Sequence, residues 1–180
     1  MSSLKKANVQ IRINASAGEI WKVIHDDFDN VANYNPLLEG SHHVSGEQGI
    51  GCERQCDLKP GGKTFIKEKI SKAVHEKYLE VKMSGGQFPM MKMDTVVGAY
   101  DLEESSNSTD ISLSMEFEAN PKLMGDILRN KLEKMLFKSI IGLKYYVETG
   151  GHVTKDNFDK IEKWYYQLDN GTPFNSIIAA

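Results

Sequence analysis

Arg54 and Glu68 carry the clearest chemical signal in this sequence. They lie on two alternating runs joined by a glycine-rich turn. Cys52, Arg54, Cys56 and Leu58 share one face of the first run, and Thr64, Ile66, Glu68 and Ile70 share one face of the second. A connection over Lys59–Lys63 pairs Leu58 with Thr64 and Cys56 with Ile66, which sets Arg54 directly opposite Glu68. Both charges then fall among thiols and isoleucines on the apolar face. A slip of one residue would turn one of these sets to water, so the register is constrained. Buried charges need partners. The two residues read either as a self-satisfied ion pair or as the polar anchor of a ligand cavity, with donors and acceptors left for a carbonyl, a hydroxyl or water.

Other constellations are weaker. His42 and His43 are adjacent on an expected strand, so they point to opposite faces and do not co-ligate. His25, His75 and His152 fall near helix ends and turns, where water is expected to reach them. Cys52 and Cys56 stand four apart on a strand, on the order of 13 Å between Cα atoms, too far for a disulfide. Reduced, buried thiols are expected, and without neighbouring histidines they make no zinc signature. No Gly-x-Ser-x-Gly, phosphate loop or dinucleotide fingerprint occurs. No metal and no cofactor are expected.

The elements that must position the pair follow from hydrophobic period. Val9, Ile11 and Ile13 alternate with polar residues, as in a strand with one wet face. Ser16-x-x-Glu19 is a capping box opening a helix with Ile20, Trp21, Val23 and Ile24. Phe28–Asn35 reads as a second short helix stopped by Pro36. Residues 38–119 read as strands broken at 46–51, 59–63, 75–77, 85–89 and 104–108. Leu79, Val81 and Met83 share a face, as do Ile111, Leu113, Met115 and Phe117. That is an antiparallel sheet with one solvated side. Asn120-Pro121 then predicts the cap and first residue of a helix running to about Glu148 and ending at Gly150-Gly151. Its stripe is Met124, Ile127/Leu128, Leu132, Met135/Leu136, Ile140, Leu143 and Val147. One apolar sheet face and one apolar helix stripe should bury each other, in an α+β fold.

Composition bounds the rest. The chain has 180 residues, 40% hydrophobic and 26% charged, which fits one globular domain and excludes a disordered or collagenous chain. With 22 Lys+Arg against 25 Asp+Glu, the net charge of -3 leaves no electrostatic case for nucleic acid. No apolar run reaches the roughly 18 residues of a membrane span, so no membrane insertion is expected. The opening Met1–Asn8 has no apolar core of a leader, and a cytoplasmic protein is expected.

Ala17–Trp21 after the first strand, Gly51-x-x-Arg54, the turn Pro60-Gly61-Gly62, Glu68 in the next strand and Gly85-Gly86 before the expected sixth strand occur in an order that resembles the START and birch-pollen-allergen (SRPBCC) superfamily. The polyketide cyclase/dehydrase-type branch is the nearest flavour. The resemblance spans residues 8–149. It implies a helix-grip fold, in which a curved antiparallel sheet of about seven strands wraps a long C-terminal helix, with two short helices after the first strand. It also implies that inward positions of these strands line a cavity between sheet and helix. Members bind lipids, hormones and polyketides, or catalyse cyclisation. In the hormone-receptor relatives, loops matching 59–63 and 85–89 act as gate and latch. Here the gate segment departs from that pattern, and Glu39 stands where those receptors place an anion-pairing lysine. A helix-grip domain over 1–150 and a helical extension over 151–180 are therefore expected. In the extension, Thr154 caps a helix bearing Phe158, Ile161, Trp164/Tyr165 and Leu168, which ends at Asn170-Gly171. That helix reads as docked on the domain, as a lid or as a dimer contact.

The leading expectation is binding or transport of a small hydrophobic molecule by a monomer or homodimer. Arg54 and Glu68 would orient the ligand. Cys56, Ile66, Met83, Met93, Thr95, Met115, Leu128, Leu132 and Met135 would make contacts. Seven of the eight methionines fall after residue 80, and unbranched thioethers suit an irregular apolar ligand. The alternative is a cyclase/dehydratase-type enzyme, a lyase or isomerase, with Glu68 as general base and Arg54 stabilising an enolate.

Overall fold

The alternating N-terminal run forms β1 (Leu4–Ile13), whose inward residues Ala7, Ile11 and Ile13 are buried. The computed structural model describes residues 4–168 and 172–178. Ser16 caps α1 (Ala17–Trp21) through the expected capping box. Its hydroxyl accepts from the Glu19 amide, and the Glu19 carboxylate accepts from the Ser16 amide at 2.8 Å. The helix loosens into one π-turn, Lys22–Asp26, and a 3-10 segment, Phe28–Asn33, follows.

Six strands come next: β2 (Gly40–Ser45), β3 (Glu53–Asp57), β4 (Phe65–Val74), β5 (Tyr78–Gly86), β6 (Val97–Ser105) and β7 (Ser108–Glu118). With β1 they make one seven-stranded antiparallel sheet in the order β1-β7-β6-β5-β4-β3-β2. The chain returns to place β7 beside β1, so β1 forms one edge of the sheet and β2 the other. Register shifts in the β4–β5 pairing, between Lys67 and Glu68 and between Ile70 and Lys72, bracket Glu68. Such bulges bend and twist a sheet locally. Gly86 is needed in this bend. It has φ +89°, and a Cβ there would lie 2.2 Å from the Phe65 carbonyl oxygen.

Two boundaries differ from expectation. The sixth strand starts at Val97, not just after Gly85-Gly86. Residues 87–96 form a loop with a 3-10 turn at Met93–Thr95 and one bridge from Met91 to Ala119. The expected break at 85–89 thus extends through residue 96, and Met91, Met93 and Thr95, read as strand, fall within it. Asn120 does not cap the long helix. Pro121 leads into a 3-10 turn, Lys122–Met124, and α2 (Gly125–Thr149) begins after it with no side-chain cap. Its end is as expected, at Gly150 in the left-handed conformation.

The helix α2 lies chiefly on β1 and β7. Leu128, Leu132, Leu136, Ile140 and Leu143 are buried toward the sheet, while Ile127 of the expected stripe is exposed. Gly142 lets the 3-10 segment approach, since a Cβ would lie 2.0 Å from the Tyr34 carbonyl oxygen. The back of α2 is apolar as well. Ile141 packs with Val153, Phe158, Ile161 and Phe174 in a second cluster, with Phe137 and Tyr145 against it. There α3 (Lys155–Gln167), opened by a Thr154–Asn157 capping box, and α4 (Asn175–Ile178) form the tail. The expected stop at Asn170-Gly171 lies outside the described residues. Thus the tail docks on α2, away from the sheet, and no described tail residue lines the cavity.

Candidate functional site

The strand β3 delivers Arg54 and β4 delivers Glu68, in the register expected from the turn: Arg54 pairs with Glu68 and Cys56 with Ile66, and the Leu58 amide donates to the Thr64 carbonyl at 2.8 Å. Both side chains point to the concave side. Their exposures are 5% for Arg54 and 14% for Glu68. Arg54 Nε donates to Glu68 Oε2 at 2.7 Å, and Nη2 lies 2.6 Å from the same oxygen. Nη1 donates to the Phe28 carbonyl at 2.5 Å, and the guanidinium sits 3.9 Å from the centre of the Phe28 ring. The Cys56 thiol also donates to Oε2, at 3.5 Å. Every contact made by the Glu68 carboxylate falls on Oε2. Glu68 Oε1 accepts from none of the described residues, is not fully buried, and belongs to a residue that lines the hollow.

That hollow is a cavity of about 110 Å³ between sheet and α2. Nine of the eleven anticipated contact residues line it: Arg54, Glu68, Cys56, Ile66, Met83, Met93, Met115, Leu132 and Met135. Two do not. Thr95 is in the 3-10 turn, where its hydroxyl donates to the Lys92 carbonyl at 2.7 Å and accepts from the Glu118 amide at 3.0 Å. It was placed on a strand that does not yet begin there. Leu128 is buried one turn too close to the start of α2, inside the packed core. Arg54 is the sole cation and Glu68 the sole anion among the described lining residues; the rest are apolar side chains with a few hydroxyls and amides, such as Tyr100, Ser114 and Ser139.

Electrostatics fix the protonation states of this floor. Burial acts to lower the Arg54 pKa, but the charge of Glu68, with Cys56, Tyr34 and Tyr100 nearby, overrides it and holds the guanidinium above its ordinary value. Burial, then the Glu68 charge, pushes the Cys56 thiol well up, so it is a neutral donor and not a nucleophile at neutral pH. Burial likewise raises the phenols of Tyr34 and Tyr100, whose hydroxyls interact with each other.

Sequence reasoning missed Phe28, Tyr34 and Tyr100. Tyr100 was readable, since it alternates with Gly98 and Leu102 on β6. Phe28 and Tyr34 serve through a carbonyl and a buried phenol on an irregular segment, for which no periodic signal exists. His25, expected to be wet, stacks on Trp21 at 4.6 Å between ring centres, with Asp26 at 2.8 Å from Nδ1. The cysteines are free and buried. Among the described residues, no group of three His, Cys, Asp or Glu side chains is arranged to hold a metal ion, and no helix is long and apolar enough to cross a membrane.

A curved sheet gripping one long helix, with a lined hollow between them, defines the helix-grip class. The chain belongs to the polyketide cyclase / dehydrase and lipid transport family, whose model matches residues 5–148. A solved structure titled "Crystal structure of Ara h 8.0201", a Bet v 1-like protein, is similar at 16% identity and a TM-score of 0.66, over 80% of this chain and 97% of that one. That likeness shows the fold. No curated protein matches the sequence.

Proposed function

We propose that this protein binds a small hydrophobic molecule in the cavity between sheet and helix. The observation that carries the reading is a carboxylate oxygen left without a protein partner on the floor of an otherwise apolar hollow. The oxygen is not fully buried, so water or a guest can reach it. An acceptor left open beside Met83, Met93, Met115 and Met135 suits a guest that completes it. Apolar burial at about 25 cal/mol per Å² would supply most of the affinity, and the methionines can adjust to an irregular outline.

The cyclase reading draws less support. Nε, Nη1 and Nη2 of Arg54 each already hold a protein partner, at Glu68 Oε2 or the Phe28 carbonyl, so an oxyanion would have to share the guanidinium with them.

The test is a thermal-shift panel of apolar molecules on the natural protein and on Gly98→Val. Gly98 lines the cavity, and a Cβ there would meet nothing nearer than 3.9 Å, so the variant fills space without a backbone clash. Binding raises the melting temperature by mass action. The natural protein should gain stability with at least one compound and the variant should not. Equal shifts in both would contradict the proposal.

A further inference from the structure

The cavity floor holds more information than its apolar walls. We infer that the ligand is a compact, uncharged, mostly apolar molecule with a hydroxyl or N–H group that donates to Glu68 Oε1. This rests on the binding reading above and specifies its ligand class.

Three observations carry it. First, Oε1 is an acceptor with no described partner, while Oε2 takes both Arg54 contacts and the Cys56 thiol. A ligand donor would make a charge-assisted hydrogen bond there, roughly twice as strong as a neutral one. Second, the floor carries no cation beyond the one paired with Glu68. Nε, Nη1 and Nη2 of Arg54 each have a protein partner, and no Lys or His is among the described lining residues. A carboxylate head placed against Oε1 would offer it no donor and would add a second anion to a floor whose single cation is already paired with Glu68. Third, the cavity of about 110 Å³ is smaller than the roughly 300–1,000 Å³ of drug-sized sites and near the ~150 Å³ that takes one benzene ring. A single ring with a short substituent, seated where flexible methionines can give way, fits better than a long chain. Together these select a phenol, alcohol or amide-type N–H on a compact apolar frame, and select against free fatty acids.

The test compares three probes of one shape by calorimetric titration near pH 7: 4-propylphenol, propylbenzene and 4-propylbenzoate. The phenol should bind about tenfold tighter than propylbenzene, and the benzoate should bind more weakly than propylbenzene. Benzoate binding as tightly as the phenol, or phenol no tighter than propylbenzene, would overturn the inference and leave the binding reading standing. Failure of all three to bind would remove both. The double variant Arg54→Met/Glu68→Leu replaces the pair with apolar side chains of similar bulk, a change that buried ion pairs often tolerate. It should keep propylbenzene binding and lose the phenol's advantage. A phenol advantage that survives in the double variant would assign the contact to some other group and overturn the proposal.

Discussion

Two buried ion pairs in the molecule are finished differently. Lys144 and Glu148, one turn apart on α2, are 3% and 1% exposed, with Nζ 2.5 Å from Oε1. There every acceptor is used. Glu148 Oε1 also takes the Asn14 amide at 2.8 Å and the Asn14 side chain at 3.1 Å, while Oε2 takes the Phe174 amide at 2.8 Å. Lys144 donates in addition to the Arg12 carbonyl at 2.9 Å. Burial lowers the Lys144 pKa, and the hydrogen bond and charge of Glu148 oppose that. This pair ties β1, α2 and the tail into one junction. The Arg54–Glu68 pair has the same ingredients but leaves one oxygen without a described partner, on a residue that lines the hollow. On the proposed reading, full satisfaction marks a structural role and the open acceptor a place for a guest.

The largest expected effect tests the first half of that contrast. Glu148→Ala strands a buried ammonium and removes the acceptor for two backbone amides. It should cost about 3–5 kcal/mol in denaturant unfolding, with the tail becoming sensitive to protease. Glu68→Gln should cost less, about 1–3 kcal/mol, because the altered group faces a hollow that water can enter. Equal losses would erase the distinction between the two sites.

A pH series sharpens it. The Cys56 pKa is raised in the folded protein from an ordinary value near 9. A raised folded pKa means its contribution is intact below the unfolded pKa and is lost as pH rises above it, because only the unfolded chain ionises readily. Above about pH 9 the natural protein should therefore lose stability faster than Cys56→Ala, by up to about 1.4 kcal/mol per pH unit. Parallel curves would show that Cys56 is not held in the buried setting described. The smallest effect belongs to the surface. Arg12 contacts Asp110 at 2.6 and 2.8 Å, yet exposed pairs contribute little, so Arg12→Gln should leave the melting temperature within error.

The same contrast explains what could be read in advance. The Arg54–Glu68 register was legible because a short turn and strict alternation fix both faces of a hairpin. The junction was not. Lys144 and Glu148 are spaced like an ordinary exposed helix pair, and they are buried only because Asn14 and the segment at Phe174 close over them. Thr95 was misplaced for a related reason. Alternation through Met91, Met93 and Thr95 suits a strand, but Phe88-Pro89 and the turn at Met93–Thr95 delay β6 until Val97. The second apolar side of α2, with Phe137, Ile141 and Tyr145, was hidden because a helix in contact on both sides has a blurred stripe.

The most direct measurement is a crystal structure of the protein soaked with 4-propylphenol. The account predicts its ring between sheet and α2, with the hydroxyl within about 3.2 Å of Glu68 Oε1 and the Arg54 contacts to Oε2 retained. A filled core with the phenol absent from it, or a phenol bound with its oxygen turned away from Glu68, would contradict the account.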